Sequence, residues 1–342
     1  MDKIRLLYHQ AQKSIILNNK TLNFILKSIV VLGVGYALYN KIASEDELPQ
    51  MLDNISTYLV FPNLYLLFFA FLLMPIMFWA ESYRWLLLVR KIVPESSATM
   101  RKSVKAMISG QTLGMFIPYR IGKIGGRIVV YATKKKWELV VVTLFDGEGM
   151  KLLYDIAGLG GAVYILYRYF EVDFITSVII GIIVFLILMI RLYFFFNVKV
   201  LINWLTRFSA LEKVVRKLKV IQEYNKVELF KVLQISVFRM LLNFLQYYLL
   251  LRFFHVEVGL LKAFVLIGAI YFFVANLPLP ALAGLFARIH IALFIWSQFS
   301  DNVISISSIP FLLWIFNSLI PALVGSIFVM NLNIAKNLSY ER

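Results

Sequence analysis

Pro118-Tyr-Arg-Ile-Gly-Lys-Ile-Gly-Gly-Arg127 sets three cations and three glycines inside an apolar stretch, Ala106 to Tyr131, of a chain otherwise rich in lipid-soluble residues. Arg120, Lys123 and Arg127 are costly there, because a charged side chain near the bilayer centre costs roughly 2.5–3.5 kcal/mol on insertion scales. The economical explanation is an anion-binding element. Spacings of three and four put the three cations on one face if the segment after Pro118 is helical. Proline favours a helix start, and a helix N-terminus offers free N–H groups to an anion. Gly122, Gly125 and Gly126 would let a backbone or a lipid headgroup come close. Arginine grips phosphate through two parallel hydrogen bonds, whereas lysine acts as a point charge. The plainer alternative is a loop whose cations snorkel to cytoplasmic headgroups.

Composition fixes the setting. With 61% hydrophobic residues over 342 positions and a mean hydropathy of +0.78, the chain cannot hide its apolar surface in a soluble core. It reads as an all-α, multi-pass membrane protein forming a single integral membrane domain, 1–342. The formal net charge of +16 does not indicate nucleic-acid binding, since the cations sit in short segments between apolar runs, where membrane topogenesis places them. The absence of cysteine removes disulfides and thiolate chemistry. His9, His255 and His290 are too scattered to suggest a metal site. No Gly-x-x-x-x-Gly-Lys-Ser/Thr loop is present, and no cofactor is expected.

Runs long enough to cross a bilayer, about 20 residues, occur at Leu22 to Tyr39, Leu64 to Val89, Trp137 to Tyr167, Phe174 to Met189 (extending toward Phe196), Val232 to Phe254 and Pro310 to Met330. The first lacks a small-residue cleavage site and reads as a retained span. Two further stretches, Ala106 to Tyr131 and Ala263 to Trp296, are interrupted by proline and glycine. Cationic ends at Lys3 to Lys20, Arg90 to Lys105, Arg207 to Lys226 and Lys336 to Arg342 are expected inside, and the acidic Lys41 to Asp53 and Glu171 to Asp173 outside. If Ala106 to Tyr131 crossed, Lys134, Lys135 and Lys136 would fall outside. It therefore reads as a re-entrant hairpin turning near Pro118, and Ala263 to Trp296 as a second, turning near Pro278 and Pro280. Six full spans then leave both termini cytoplasmic, in the cell membrane.

Arg90 and Pro118 are 28 residues apart, as are Arg252 and Pro280, and the same offset of 162 aligns Trp85 with Tyr247, Gly122 with Gly284 and Asp155 with Asn317. Each half, 1–168 and 169–342, would hold span, span, hairpin, span, the second inverted, as in many transporters. A handful of matches also arises by coincidence in an apolar chain.

On the span from Trp137 to Tyr167, Glu148, Lys151 and Asp155 share one face, with Asp146 roughly opposite. Glu148 and Asp155 are candidates to balance the hairpin cations or relay protons, and Lys151 to help hold a phosphate; the alternative is an ion network that only fastens the hairpin to this span. Asp146 reads equally well as an interfacial residue without a special role. Arg288, the cation of the second hairpin, is a further candidate headgroup contact.

The chain resembles the lysylphosphatidylglycerol synthase transmembrane region, or flippase-like domain, family. The resemblance rests on Pro118 to Arg127, on Asn243-Phe-Leu-Gln-Tyr-Tyr-Leu-Leu-Leu-Arg252, and on the Leu277-Pro-Leu-Pro280 stretch leading to Gly284-Leu-Phe-Ala-Arg288. It implies an integral membrane protein that moves or handles lipids with charged headgroups, such as aminoacylated phospholipids or polyprenyl-phosphate-linked sugars. Aminoacyl transfer in two-domain members belongs to a separate soluble domain and is not carried over. Two departures stand out: Lys123 occupies a position usually acidic in the family, and Gly284 and Ala287 replace an acid and a glycine. Both hairpins have lost a carboxylate. The expectation is a lipid transporter or flippase that is not an enzyme and binds an anionic headgroup at the cationic hairpin, with membrane lipids as partners. The alternatives are an accessory protein for a lipid-modifying or glycosyl transferase and an intramembrane enzyme acting on lipid-linked phosphate.

Overall fold

The computed structural model describes residues 47–59, 63–116, 121–208, 212–277 and 281–330. The expected span at Leu22 to Tyr39 and the turn residues Pro118, Arg120, Pro278 and Pro280 lie outside these. The described residues form helices and no strand, in the order α1 (Glu47–Tyr58), α2 (Leu64–Val89), α3 (Met100–Phe116), α4 (Ile121–Ile128), α5 (Lys136–Tyr169), α6 (Phe174–Phe196), α7 (Val198–Leu205), α8 (Glu212–Leu218), α9 (Lys226–Phe253), α10 (Leu260–Asn276), α11 (Ala281–Trp296), α12 (Val303–Trp314) and α13 (Ile320–Met330). A 3-10 turn, Lys219–Glu223, precedes α9, and a π turn, Ile315–Leu319, joins α12 to α13.

Local chemistry sets several of these starts. Asp173 accepts from the Thr176 amide at the head of α6, and Asn302 accepts from the Ser305 amide at the head of α12. Asn225 and Glu228 satisfy each other's backbone amides in a capping box that opens α9. Among the described residues four helices are long and apolar enough to cross a membrane: α2, α5, α6 and the continuous run Val303–Val329. The span expected at Val232 to Phe254 falls in α9, which is long enough but carries Arg239 and Arg252 within it and Lys226, Glu228 and Lys231 at its head. These charges make it less apolar than the other four.

At the centre α2 and α9 lie antiparallel. Gln246 donates to the Ala70 carbonyl at 2.8 Å, Arg84 to Ser236 Oγ at 2.8 Å, and Tyr224, just before α9, to the Leu88 carbonyl at 2.5 Å. One partner number falls as the other rises, so the two helices run in opposite directions. α3 and α4 form a tight antiparallel hairpin, in which a Cβ on Gly126 would stand 2.4 Å from the Ser109 carbonyl oxygen and 2.7 Å from Gly110. Only glycine permits that approach. α10 packs on α5, with Gly158 against the backbone of Gly268. α3 packs on α13, where Gly325 meets Thr112 and Ile108.

Two apolar cores result. One gathers Ala70, Met150, Tyr154, Met240 and Phe244 with α10, α11 and α12; the other gathers Trp85, Leu88, Val141, Val142, Leu229 and Leu233 with α3, α4 and the α6–α8 region. Along α2, α5 and α9 alike, charged residues stand between the two cores. Outside, α6 turns Ile175, Ile179, Ile182, Ile183, Leu186 and Ile190 away from the protein, as a lipid-facing helix does.

Polar contacts tie the pieces together. Pro321 has no amide hydrogen and its ring displaces the carbonyl four residues earlier, that of Asn317 in the π turn, and this oxygen accepts from Gln111 of α3 at 3.3 Å. The Asn317 side-chain amide donates to Gln246 Oε1 at 2.7 Å, so Gln246 links α2, α9 and the π turn. Gln246→Leu strands the Ala70 carbonyl and the Asn317 amide. It should lower the unfolding temperature in detergent, corresponding to about 1–3 kcal/mol for the buried groups left unpaired, whereas a change at the lipid-facing Ile182 should leave it unmoved.

Candidate functional site

Between the two cores, four helices contribute charges to one buried junction. α2 supplies Glu81 and Arg84, α4 supplies Lys123 and Arg127, α5 supplies Asp146 and α9 supplies Arg239. Glu81 and Arg84 lie three residues apart, so they share a face of α2. Asp146 receives both Arg84, with Nε at 2.7 Å from Oδ1 and Nη2 at 3.1 Å from Oδ2, and Arg127, with Nη1 at 2.9 Å from Oδ2. Glu81 receives Arg127 at 2.8 Å, Arg239 at 3.0 Å and Lys123 at 3.7 Å. Arg127 thus bridges both carboxylates and also lies over the Trp85 ring, 5.4 Å from its centroid.

Burial divides the junction into a floor and a rim. Arg84 and Arg127 are each 3% exposed, while the side chains of Lys123 and Arg239 keep 40% and 23% of their surface open. From the rim a polar strip continues. Asn243 donates to the Tyr154 hydroxyl at 2.9 Å and accepts from Tyr271 at 3.1 Å. Tyr271 lies within electrostatic reach of both Arg239 and Arg288. Arg288 has no ion pair among the described residues, and its buried Nε has no hydrogen-bond partner among them.

The candidates named from sequence are distributed unevenly. Lys123 and Arg127 meet in the junction, and Arg120 lies outside the described residues. Among the described residues Glu148 and Asp155 do not pair with the hairpin cations. They pair with Arg191 of α6, Asp155 at 2.7 Å and Glu148 in direct contact, and Asp155 also accepts from Asn276 of α10 at 2.8 Å. The reason is their shared helical face, which looks toward α6 and α10, whereas the hairpin packs on the opposite face, where Asp146 sits. Asp146 is accordingly buried and doubly paired, and does have a structural role. Lys151 is half-buried with no ion pair among the described residues. Gly126 admits the α3 backbone, while Gly125 and Gly284 have open space where a Cβ would stand; Gly122 is buried. An acid at 284, one turn before Arg288, would be in reach of that arginine, and Gly284 supplies none. Glu81, Arg84, Asp146 and Arg239 are the residues that sequence reasoning missed or misread. The one available signal was that α2 and α9, otherwise apolar in their middles, each carry charge there.

A family model described as the lysylphosphatidylglycerol synthase TM region matches residues 24–299. The chain belongs to that family, and it is a polytopic membrane protein. No curated protein matches it.

Removing one carboxylate exposes how much the junction carries. Asp146→Asn leaves Arg84 and Arg127 short of counter-charge and should destabilise the fold by about 3–5 kcal/mol, read as a lowered unfolding temperature. Arg84→Met added to Asp146→Asn should recover much of that loss, because the uncompensated charge is then reduced.

Proposed function

We propose that this member of the family is a transporter of the flippase type, which binds the anionic headgroup of a phospholipid or polyprenyl-phosphate-linked lipid at the rim of the ionic junction. The observation that carries the reading is the pair of half-open cations, Lys123 and Arg239, standing over a buried floor that already fixes its own charges. A headgroup would enter between the hairpin cations and the strip leading to Arg288, with the acyl or prenyl tails left in the bilayer. The two halves would then rock to change access.

The inverted halves belong to the same proposal. Adding 162 to the bounds of α2 gives 226–251, against Lys226–Phe253 for α9, and adding it to α3 gives 262–278, against Leu260–Asn276 for α10. The packing is reciprocal as well, since α10 lies on α5 while α3 lies on α13, the later counterpart of α5. Because α2 and α9 run antiparallel, halves related in this way are inverted across the membrane. α4, with eight residues, spans about 12 Å, too short to cross a hydrocarbon core of about 30 Å, which favours a re-entrant hairpin. In this reading both termini are cytoplasmic and the protein resides in the cell membrane.

The chain has no cysteine, so single-cysteine labelling has no background. Glu95→Cys and Glu171→Cys, both at exposed positions, should react with a membrane-impermeant maleimide from opposite sides of the cell membrane; reaction from the same side rejects the topology. Reconstituted with headgroup-labelled phosphatidylglycerol, the protein should expose inner-leaflet label to dithionite, and Lys123→Gln with Arg239→Gln should slow that exposure severalfold. Vesicles indistinguishable from protein-free ones would overturn the transport reading.

A further inference from the structure

Among the described residues the junction sets four cations, Arg84, Lys123, Arg127 and Arg239, against two carboxylates, Glu81 and Asp146. Two positive charges are left over. Arg84 and Arg127 are sealed in the floor and hold Asp146 between them, so the surplus is felt at the rim. There Lys123 and Arg239 share one carboxylate, Glu81, with Arg127. Lys123 stands off at 3.7 Å, and the buried Nε of Arg239 has no hydrogen-bond partner among the described residues. Like charges gathered around one carboxylate repel, so an arrangement of this kind favours a ligand that removes the surplus.

We infer that the rim takes a terminal phosphate carrying two negative charges, as on a lipid phosphomonoester or free inorganic phosphate, in preference to a phosphodiester carrying one. This rests on the headgroup reading above and narrows its substrate class. A phosphodiester is fixed at a single charge, whereas a phosphomonoester carries about −1.5 to −2 at pH 7, its second ionisation falling near pH 6. Only the monoester cancels the surplus. A terminal phosphate also presents three oxygens, enough for the arginine fork and the lysine ammonium together. A lysyl ester of phosphatidylglycerol has two ammonium groups against one phosphate. Its charge would add to the surplus, so the rim disfavours it.

The test uses the purified full chain in mild detergent with tail-labelled phosphatidic acid and phosphatidylglycerol, read by fluorescence anisotropy. At about pH 7 phosphatidic acid should bind on the order of tenfold more tightly, and the preference should shrink toward equality at about pH 5.5, where the monoester keeps little more than one charge. Lys123→Gln, at a half-open side chain that should not disturb folding, should cut the preference at the higher pH to about threefold or less, roughly the loss expected when one partly solvated charge is removed. Arg239→Gln should act in the same direction. Inorganic phosphate competing at concentrations similar to the lipid assigns the site to free phosphate, and failure to compete assigns it to the lipid; both keep the doubly charged ligand. Equal affinity for the two lipids at the higher pH overturns this inference and leaves the headgroup reading standing. No saturable binding of either lipid overturns both.

Discussion

Asp146 accepts from two arginines at once, Arg84 of α2 and Arg127 of α4, and the arrangement of the bundle depends on that shared carboxylate. Without it two guanidinium groups would stand buried side by side in a region flanked on both sides by apolar cores. With it, the short helix α4 is fixed to two long helices by charge as well as by the glycine contact with α3. Glu81 extends the same logic to α9 through Arg239. Charged groups thus organise the level of the protein where an apolar contact between the four helices would have left no specificity.

Much of the helical plan was legible in the sequence because apolar runs and their proline and glycine interruptions are local signals. The close packing of α3 on α4 agrees with Gly126, the turn near Pro118 lies outside the described residues, and the boundaries of α2, α5 and α6 agree with hydropathy. The junction was not legible, because its members come from positions as far apart as Glu81 and Arg239, and no pattern within one helix reveals which distant face it will meet. Glu148 and Asp155 show the limit well. Their spacing correctly puts them on one face of α5, yet it carries no information on whether α4 or α6 covers that face. Asp146 looked ordinary for the same reason, since its importance lies entirely in its neighbours.

Positions 162 residues apart on α2 and α9 carry different chemistry. Glu81 and Arg84, charged and buried, correspond at the offset of 162 to Asn243 and Gln246, which are neutral and buried. Asn243 serves two tyrosines, and Gln246 serves a carbonyl and an amide. Glu81 and Arg84 join α2 to α4, α5 and α9 through ions, whereas Asn243 and Gln246 join α9 to α2, α5, α10 and the π turn through neutral hydrogen bonds, whose individual strengths in membranes are modest. Arg288 is left over on the neutral side. Positive charge without a carboxylate partner among the described residues therefore extends to α11 and is not confined to the first hairpin.

The π turn between α12 and α13 gives the last long helix one residue of slack. A helix that loses or relocates such a turn rotates its downstream segment by about 100° and shifts it by about 1.5 Å, without disturbing the upstream one. Here the upstream segment, α12, is clamped in the apolar core and by its contacts with α1 and α11, while the downstream segment, α13, carries the first hairpin through Gly325 and Ala322. Asn317, in the turn itself, holds both Gln111 and Gln246. The turn therefore joins a segment packed against α1 and α11 to one that supports the cationic hairpin, so any change of register at the turn would be felt by the hairpin and not by α12.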